Sequence, residues 1–465
     1  MSKLAVQVLS WVSTIWVARL LSPDDYGLVA ISGLFTAAIA IVTDFGLGAG
    51  LVTRREINER EINQVFWLNL TMAALFYLLM FAAAPYIAAA YDLPALKNIL
   101  RVASLGLLIS AFRSVSYGML LRALDYRFRA IVEMIGQFIQ AGLVILLALN
   151  GFGAWSLILG YLTAQLFMAI AFKSKGPKIG RPTLSLAGLQ DVVGFGVRIT
   201  GARALGFAAG SSDMAMITSL LGARAAGVYS VAFNLASAPL DKIGAIFNRV
   251  AYPAVARMND DAERSQRFLL QLHFALLAVA SPALVGASLT APDLIPVLLT
   301  GTWQAAVPVL QVVCIANIVR LSGMLLPVIL EARGRADLVL RFQLVSATLL
   351  PLGFYFGSHW GLSGVTAVWL LVYPVIYFWL MHLALTELGM KIRQLLRSVV
   401  PVLLSNLVMA AAVLLAREFT QDFGHVARLA LSIATGVAAY AAAMAVLVPK
   451  TFWYEVRTTA ASLRS

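Results

Sequence analysis

Apolar residues along this chain fall into long uninterrupted blocks rather than alternating with polar ones, and each block ends at a short cluster of charged, proline or glycine residues. The blocks run to about 18–25 residues, which at about 1.5 Å per residue spans a hydrocarbon core of roughly 30 Å. No segment shows the inside–outside alternation of a transmembrane strand, so the pattern excludes a β-barrel. It predicts fourteen helical spans, at residues 4–21, 27–52, 64–90, 99–121, 130–149, 153–172, 190–221, 227–251, 268–290, 305–330, 338–357, 361–385, 396–416 and 427–448.

Composition agrees with an all-α integral membrane protein. Of 465 residues, 61% are hydrophobic and 12% charged, against about 25% charged in soluble domains. Mean hydropathy is +0.86. The net charge of +13 does not point to nucleic acid, because the cations sit in short loops on alternate sides of the spans. Loops after even-numbered spans hold Arg54, Arg55, Arg60, Arg122, Arg127, Arg129, Lys173, Lys175, Lys178, Arg181, Arg257, Arg264, Arg267, Arg333, Arg335, Lys391 and Arg393, whereas the others hold scattered cations such as Lys97, Arg224 and Arg417. The positive-inside rule then places both termini in the cytoplasm. The first span lacks a small-x-small cleavage site and leads into a second, so it is expected to be retained rather than removed as a signal peptide. The single cysteine, Cys314, lies in an apolar span and reads as a small buried side chain.

An internal repeat organises the spans. Leu20, Leu21 and Gly27 in "ARLLSPDDYGLVAI" (18–31) fall on Leu220, Leu221 and Gly227 in "TSLLGARAAGVYSV" (218–231). "LRALDYRFRA" (121–130) corresponds to "LEARGRADLVLR" (330–341), and "NGFGAWSLILG" (150–160) to "SHWGLSGVTAV" (358–368). These matches predict two six-helix lobes, 1–172 and 190–385, joined by a cytoplasmic linker, 173–189, and followed by spans 13 and 14 with a cytoplasmic tail, 386–465. Parallel repeats of this kind commonly move against each other around a shared binding site. Within the first motif, Ser22-Pro-Asp-Asp-Tyr26 reads as a tight turn, with Pro23 presetting one backbone angle and Ser22 or Asp24 able to cap the next helix.

Eight cations fall inside the spans or near their ends: Arg19, Arg101, Arg113, Arg198, Arg203, Lys242, Arg249 and Arg320. The carboxylates at comparable depth are Asp44, Glu133, Asp213 and Asp241. A charge at the bilayer centre costs at least about 2.5–3.5 kcal/mol, so such residues face a wet cavity or a partner. Snorkelling competes with a cavity role for Arg19, Arg101 and Arg249, and ion pairing with Asp44, Asp213 or Glu133 competes for the deeper ones. A cavity with surplus cations suits an anion, because guanidinium matches phosphate or carboxylate with paired hydrogen bonds.

The span count, the two lobes, the Leu-Ser-Pro-x-x-Tyr-Gly turn and "VILEARGRADLVLRF" (328–342) together resemble the Wzx-type flippases of the polysaccharide transporter family, in the multidrug/oligosaccharidyl-lipid/polysaccharide (MOP) exporter superfamily. The resemblance covers nearly the whole chain and leans to the lipopolysaccharide and exopolysaccharide branch. It implies a MATE/MOP-like fold and an alternating-access flippase that moves undecaprenyl-pyrophosphate-linked oligosaccharide across a bacterial inner membrane. It also implies a cationic cavity lined largely by spans 1, 2, 7 and 8, which here carry Arg19, Asp44, Arg198, Arg203, Asp213, Lys242 and Arg249. The partners so implied are the lipid-linked oligosaccharide, membrane lipids and the polysaccharide polymerase and export machinery, with no nucleic acid.

No Walker-type GxxxxGK[ST] motif occurs, so ATP is not the direct drive and no cofactor is expected. Asp44 and Asp213 are the candidates for coupling to a Na+ or H+ gradient, by analogy with the superfamily's cation antiporters. A multidrug exporter of the same superfamily is the first alternative, although it calls for an acidic rather than a basic interior. A glycan polymerase or ligase is the second, but it calls for a long external loop, and the four histidines, His273, His359, His382 and His425, lack metal-ligand spacing.

Overall fold

The computed structural model describes residues 13–44, 58–182, 200–201, 203–257 and 262–448. Among them there is no strand, and eleven helices are long and apolar enough to cross a membrane. The chain is a multi-pass membrane protein. Contacts divide it into two compact units, residues 1–228 and 229–465.

The first unit contains α1 (Pro23–Asp44), α2 (Glu59–Ala90), α3 (Pro94–Ala103), α4 (Leu105–Arg122), α5 (Tyr126–Leu149), α6 (Ala154–Ser174), α7 (Ser212–Leu220) and the start of α8 (Gly222–Arg257). The Ser22-Pro-Asp-Asp turn starts α1 by a reciprocal cap. The Asp25 N–H donates to Ser22 Oγ at 3.2 Å, and the Ser22 N–H donates back to the Asp25 carboxylate at 3.0 Å. Ser22 is therefore the cap, as expected; its reciprocal partner is Asp25, while Asp24 reaches Arg224 at 3.4 Å. Asp25 also accepts the N–H of Ala154, the first residue of α6, at 2.9 Å. One carboxylate thus satisfies backbone donors at two helix starts, where no carbonyl is in register to do so. The core of this unit gathers Ile31, Met80, Leu96, Ile99, Leu100 and Ile158.

The second unit contains the rest of α8, then α9 (Ala262–Leu298), a 3-10 turn (Gly301–Trp303), α10 (Ala306–Gly323), α11 (Leu325–Ala332), α12 (Ala336–Ser358), α13 (Gly361–Leu371), α14 (Tyr373–Glu387), α15 (Ile392–Phe419) and α16 (His425–Leu447). Helix α9 packs against α10, α15 and α16, and α12 packs against α13. The segment after residue 290, expected to be a loop, is mostly helical: α9 continues to Leu298 with Pro282, Pro292 and Pro296 inside it. Proline removes a backbone donor, but neighbouring helices and side-chain hydroxyls satisfy the freed carbonyls in a membrane helix. Span 12 is one continuous apolar segment, Gly361–Glu387, as expected, with a single-residue step between α13 and α14 where Pro374 follows Val372 by two residues. Cys314 is fully buried.

The paired motifs share local geometry. Gly153 and Gly361, matched in sequence, both hold positive φ, at 52° and 66°. Leu124 and Gly334 do the same at the turn after the fourth span of each repeat, at 56° and 73°. In the first unit Asp125 caps α5 through the Phe128 N–H and pairs with Lys175 at 3.1 Å. In the second, Arg335 starts α12 and pairs with Glu387 at the end of α14. Both turns are therefore tied to the end of their sixth span by an ion pair, and its polarity is reversed between the repeats. The turns of the first motif also meet directly: a Cβ on Gly27 would overlap the Ala223 backbone, and one on Gly227 would overlap that of Pro23. Each turn thus contacts the counterpart of the residue that contacts it.

Candidate functional site

Two of the deep cations have surroundings suited to holding an anion. Arg113, on α4, is half-buried. Its Nη1 donates to Gln165 Oε1 on α6 at 2.7 Å, and the guanidinium lies 5.8 Å from the Tyr117 ring. Arg320, on α10, is held in the same way: its Nη1 donates to Asn317 Oδ1 at 2.9 Å, and its guanidinium lies 4.8 Å from the Trp369 ring and 5.2 Å from Phe233. Asn317 is itself fully buried and anchored by its amide to the Ala236 carbonyl at 3.0 Å. Trp369 is fixed by donating Nε1–H to Tyr229 Oη at 3.0 Å.

Among the described residues no carboxylate lies within 4.0 Å of Arg113 or Arg320. An amide oxygen and an aromatic face orient a guanidinium without cancelling its charge. The remaining N–H groups of each fork can take a phosphate or carboxylate oxygen. Both arginines lie on the fourth span of their repeat, one in each unit.

The other expected residues fall out differently. Arg101 folds back onto α2, its guanidinium 4.1 Å from the Phe81 ring and its Nε donating to the Phe81 carbonyl at 3.3 Å. Glu133 pairs with Arg129, one turn earlier on the same helix, at 3.0 Å, which takes it away from the deep cations. Arg19 and Arg203 are exposed on helical segments, and Asp213 is buried, accepting the Met214 N–H at 2.7 Å. Arg198 lies outside the described residues, as do the side chains of Asp44, Asp241, Lys242 and Arg249.

A charged cluster absent from the sequence-based expectation lies in the second unit. Asp293, on α9, is almost fully buried and is surrounded by Arg417 at 3.1 Å, Arg428 at 2.9 Å and His425 at 2.8 Å. Asp293, Arg417 and His425 read as loop positions, Asp293 because the span seemed to end before Pro292, and Arg428 read as the second residue of span 14 with no partner in view. Also unforeseen is a partly buried chain linking α9, α10 and α14: His273 Nε2 lies 2.6 Å from Ser322 Oγ, which lies 2.6 Å from Tyr377 Oη.

Among the described residues the chain is all-helical with eleven apolar spans, and its fold is the MOP fold. The solved structure of the lipid II flippase MurJ in an inward closed conformation matches it with a TM-score of 0.73 at 13% identity, covering 96% of this chain and 97% of that one. The family model described as polysaccharide biosynthesis protein matches residues 16–308, and the chain belongs to that family. Among its curated relatives, the lipopolysaccharide biosynthesis protein WzxC of Escherichia coli is 28% identical over 77% of this chain and 73% of its own. The succinoglycan biosynthesis transport protein ExoT of Rhizobium meliloti is 26% identical over 94% of this chain and 88% of its own.

Proposed function

We propose that this protein is a flippase for undecaprenyl-pyrophosphate-linked oligosaccharide repeat units in lipopolysaccharide or exopolysaccharide biosynthesis. It works by alternating access in a bacterial inner membrane, with both termini cytoplasmic. The family, the likeness to WzxC and to the transport protein ExoT, and the fold shared with the lipid II flippase MurJ support a transporter rather than an enzyme. The observation that carries the reading is the state of Arg113 and Arg320: two oriented, half-buried guanidinium groups without a carboxylate, one in each unit. Unaided, a pyrophosphate and its sugars would lose hydration at every polar group on crossing hydrocarbon. The two arginines, with Arg19, Arg198, Arg203, Lys242 and Arg249, take over that role for the diphosphate while the prenyl tail stays in lipid. Asp44 and Asp213 serve coupling to a Na+ or H+ gradient, and the product passes to the polymerase and export machinery.

The test is complementation. Cells lacking the protein should accumulate a lipid-linked oligosaccharide on the cytoplasmic side. Arg113→Ala and Arg320→Ala at normal protein level should fail to clear it, and the lysine variants should restore part of the flux. Normal clearance by all four variants would remove both arginines from the mechanism.

A further inference from the structure

An apolar groove of about 480 Å3 runs along the second unit between α9, α15 and α16. Its volume falls within the roughly 300–1,000 Å3 of ordinary ligand sites, and its rim exposes Val279, Ile433 and Val437. Each wall continues into the buried charged cluster one helical turn further on. Thr290 leads to Asp293 on α9, Val413 to Arg417 on α15, and Ser432 back to Arg428 on α16. Residues three or four apart lie on one face of a helix, so the cluster caps one end of the groove.

The cap is cationic. Asp293 supplies one negative charge to two guanidinium groups, with His425 against the same carboxylate. Glu418 and Asp422 lie nearby in sequence, but neither comes within ion-pair distance of Arg417, Arg428 or His425. Arg417 spends Nη1 on the Leu289 carbonyl and Nη2 on Asp293. Arg428 turns only Nε and Nη2 toward Asp293 and His425, leaving N–H groups for a further acceptor. Both arginine side chains remain about one-fifth exposed.

From this juxtaposition we propose that the groove and its cap form a binding site for a resident anionic phospholipid, with one acyl chain along the apolar walls and the phosphate on Arg428 and Arg417. The cap is fixed at one end of three packed helices, so it holds a headgroup at one membrane surface. That suits a lipid that stays rather than a cargo that must change leaflets. The site shares no residue with the surroundings of Arg113 and Arg320 and does not depend on the cargo.

The experiment is native mass spectrometry of the full-length protein, released from vesicles containing equal amounts of phosphatidylglycerol and phosphatidylethanolamine with the same acyl chains. The wild type should retain phosphatidylglycerol in preference by about ten-fold, the scale set by one charge-assisted hydrogen bond. Arg428→Gln leaves the Arg417–Asp293 pair in place and should abolish the preference, whereas Ala283→Phe fills the groove and should lower retention of both lipids. Equal retention of the two lipids by the wild type, or a preference that survives both variants, overturns the proposal. So does displacement of phosphatidylglycerol by equimolar polyprenyl phosphate, which would make the groove a cargo-tail site. A transport assay is not involved, so failure here leaves the flippase reading where it stands.

Discussion

Replacing Asp25 with alanine should loosen two helix starts at once. The carboxylate accepts the Ser22 N–H at 3.0 Å, the Ser22 hydroxyl at 2.7 Å and the Ala154 N–H at 2.9 Å. Losing a helix cap costs about 0.5–2 kcal/mol, and a hydrogen bond to a charged group is worth about 1.5–3 kcal/mol. Asp25 is only half-buried, so the lower ends apply and the two caps together come to about 2–3 kcal/mol. Ala154 carries the long-range part, because the contact joins positions 129 residues apart. Amide hydrogen exchange in detergent or nanodiscs reads this locally: the Ala154 share of about 1.5 kcal/mol should speed exchange at 154–157 by about ten-fold. Asp24→Ala, which removes only an exposed 3.4 Å pair with Arg224, should change exchange there little. Unchanged protection at 154–157 in Asp25→Ala would refute the double-cap account.

Gly27→Ala and Gly227→Ala should each force apart the turns that meet at Ala223 and Pro23, lowering thermal stability in detergent, whereas Gly33→Ala, with nothing near its added Cβ, should be neutral or slightly stabilising. Asp125→Lys should weaken the tie to Lys175, and the swap Asp125→Lys with Lys175→Asp should restore it, because the other repeat already uses the reversed polarity; crosslinking of cysteines placed beside the pair measures this. The Phe128 N–H, aided by Lys175, holds the Asp125 carboxyl below its ordinary value of 3.8. The stability this contributes is full above that value and is lost as pH falls through the lower folded-state value, so Asp125→Asn should remove that part of the acid sensitivity in melts taken across the range. Asp293→Asn leaves Arg417 and Arg428 crowded without a counter-charge and should cost about 3–5 kcal/mol, seen as a lower unfolding midpoint.

Much of the fold was legible because lipid leaves the backbone few choices. Apolar block length alone marked most of the helices, and the matched "NGFGAWSLILG" and "SHWGLSGVTAV" segments do share a positive-φ glycine. Proline misled where it is tolerated: Pro292 read as the end of a span, yet α9 continues to Leu298, and with that the Asp293 cluster was lost from view. The candidate site was half legible. Depth in an apolar span singled out Arg113 and Arg320, but the neighbours that orient them, Gln165 from 52 positions away and Trp369 from 49, are brought in by packing, which no local pattern encodes. Arg101 shows the converse, because its stacking on the exposed Phe81 ring depends on which way one helix face turns.

The most direct measurement is translocation in sealed vesicles containing the purified protein and a fluorescent polyprenyl-pyrophosphate oligosaccharide, read by quenching from one side. Arg113→Gln and Arg320→Gln should each slow transfer between leaflets by about ten-fold or more, the scale of one lost charge-assisted hydrogen bond, while Lys in either position keeps part of the rate. Wild-type rates in both glutamine variants, at equal incorporation, would contradict the claim that uncancelled guanidinium groups carry the diphosphate across.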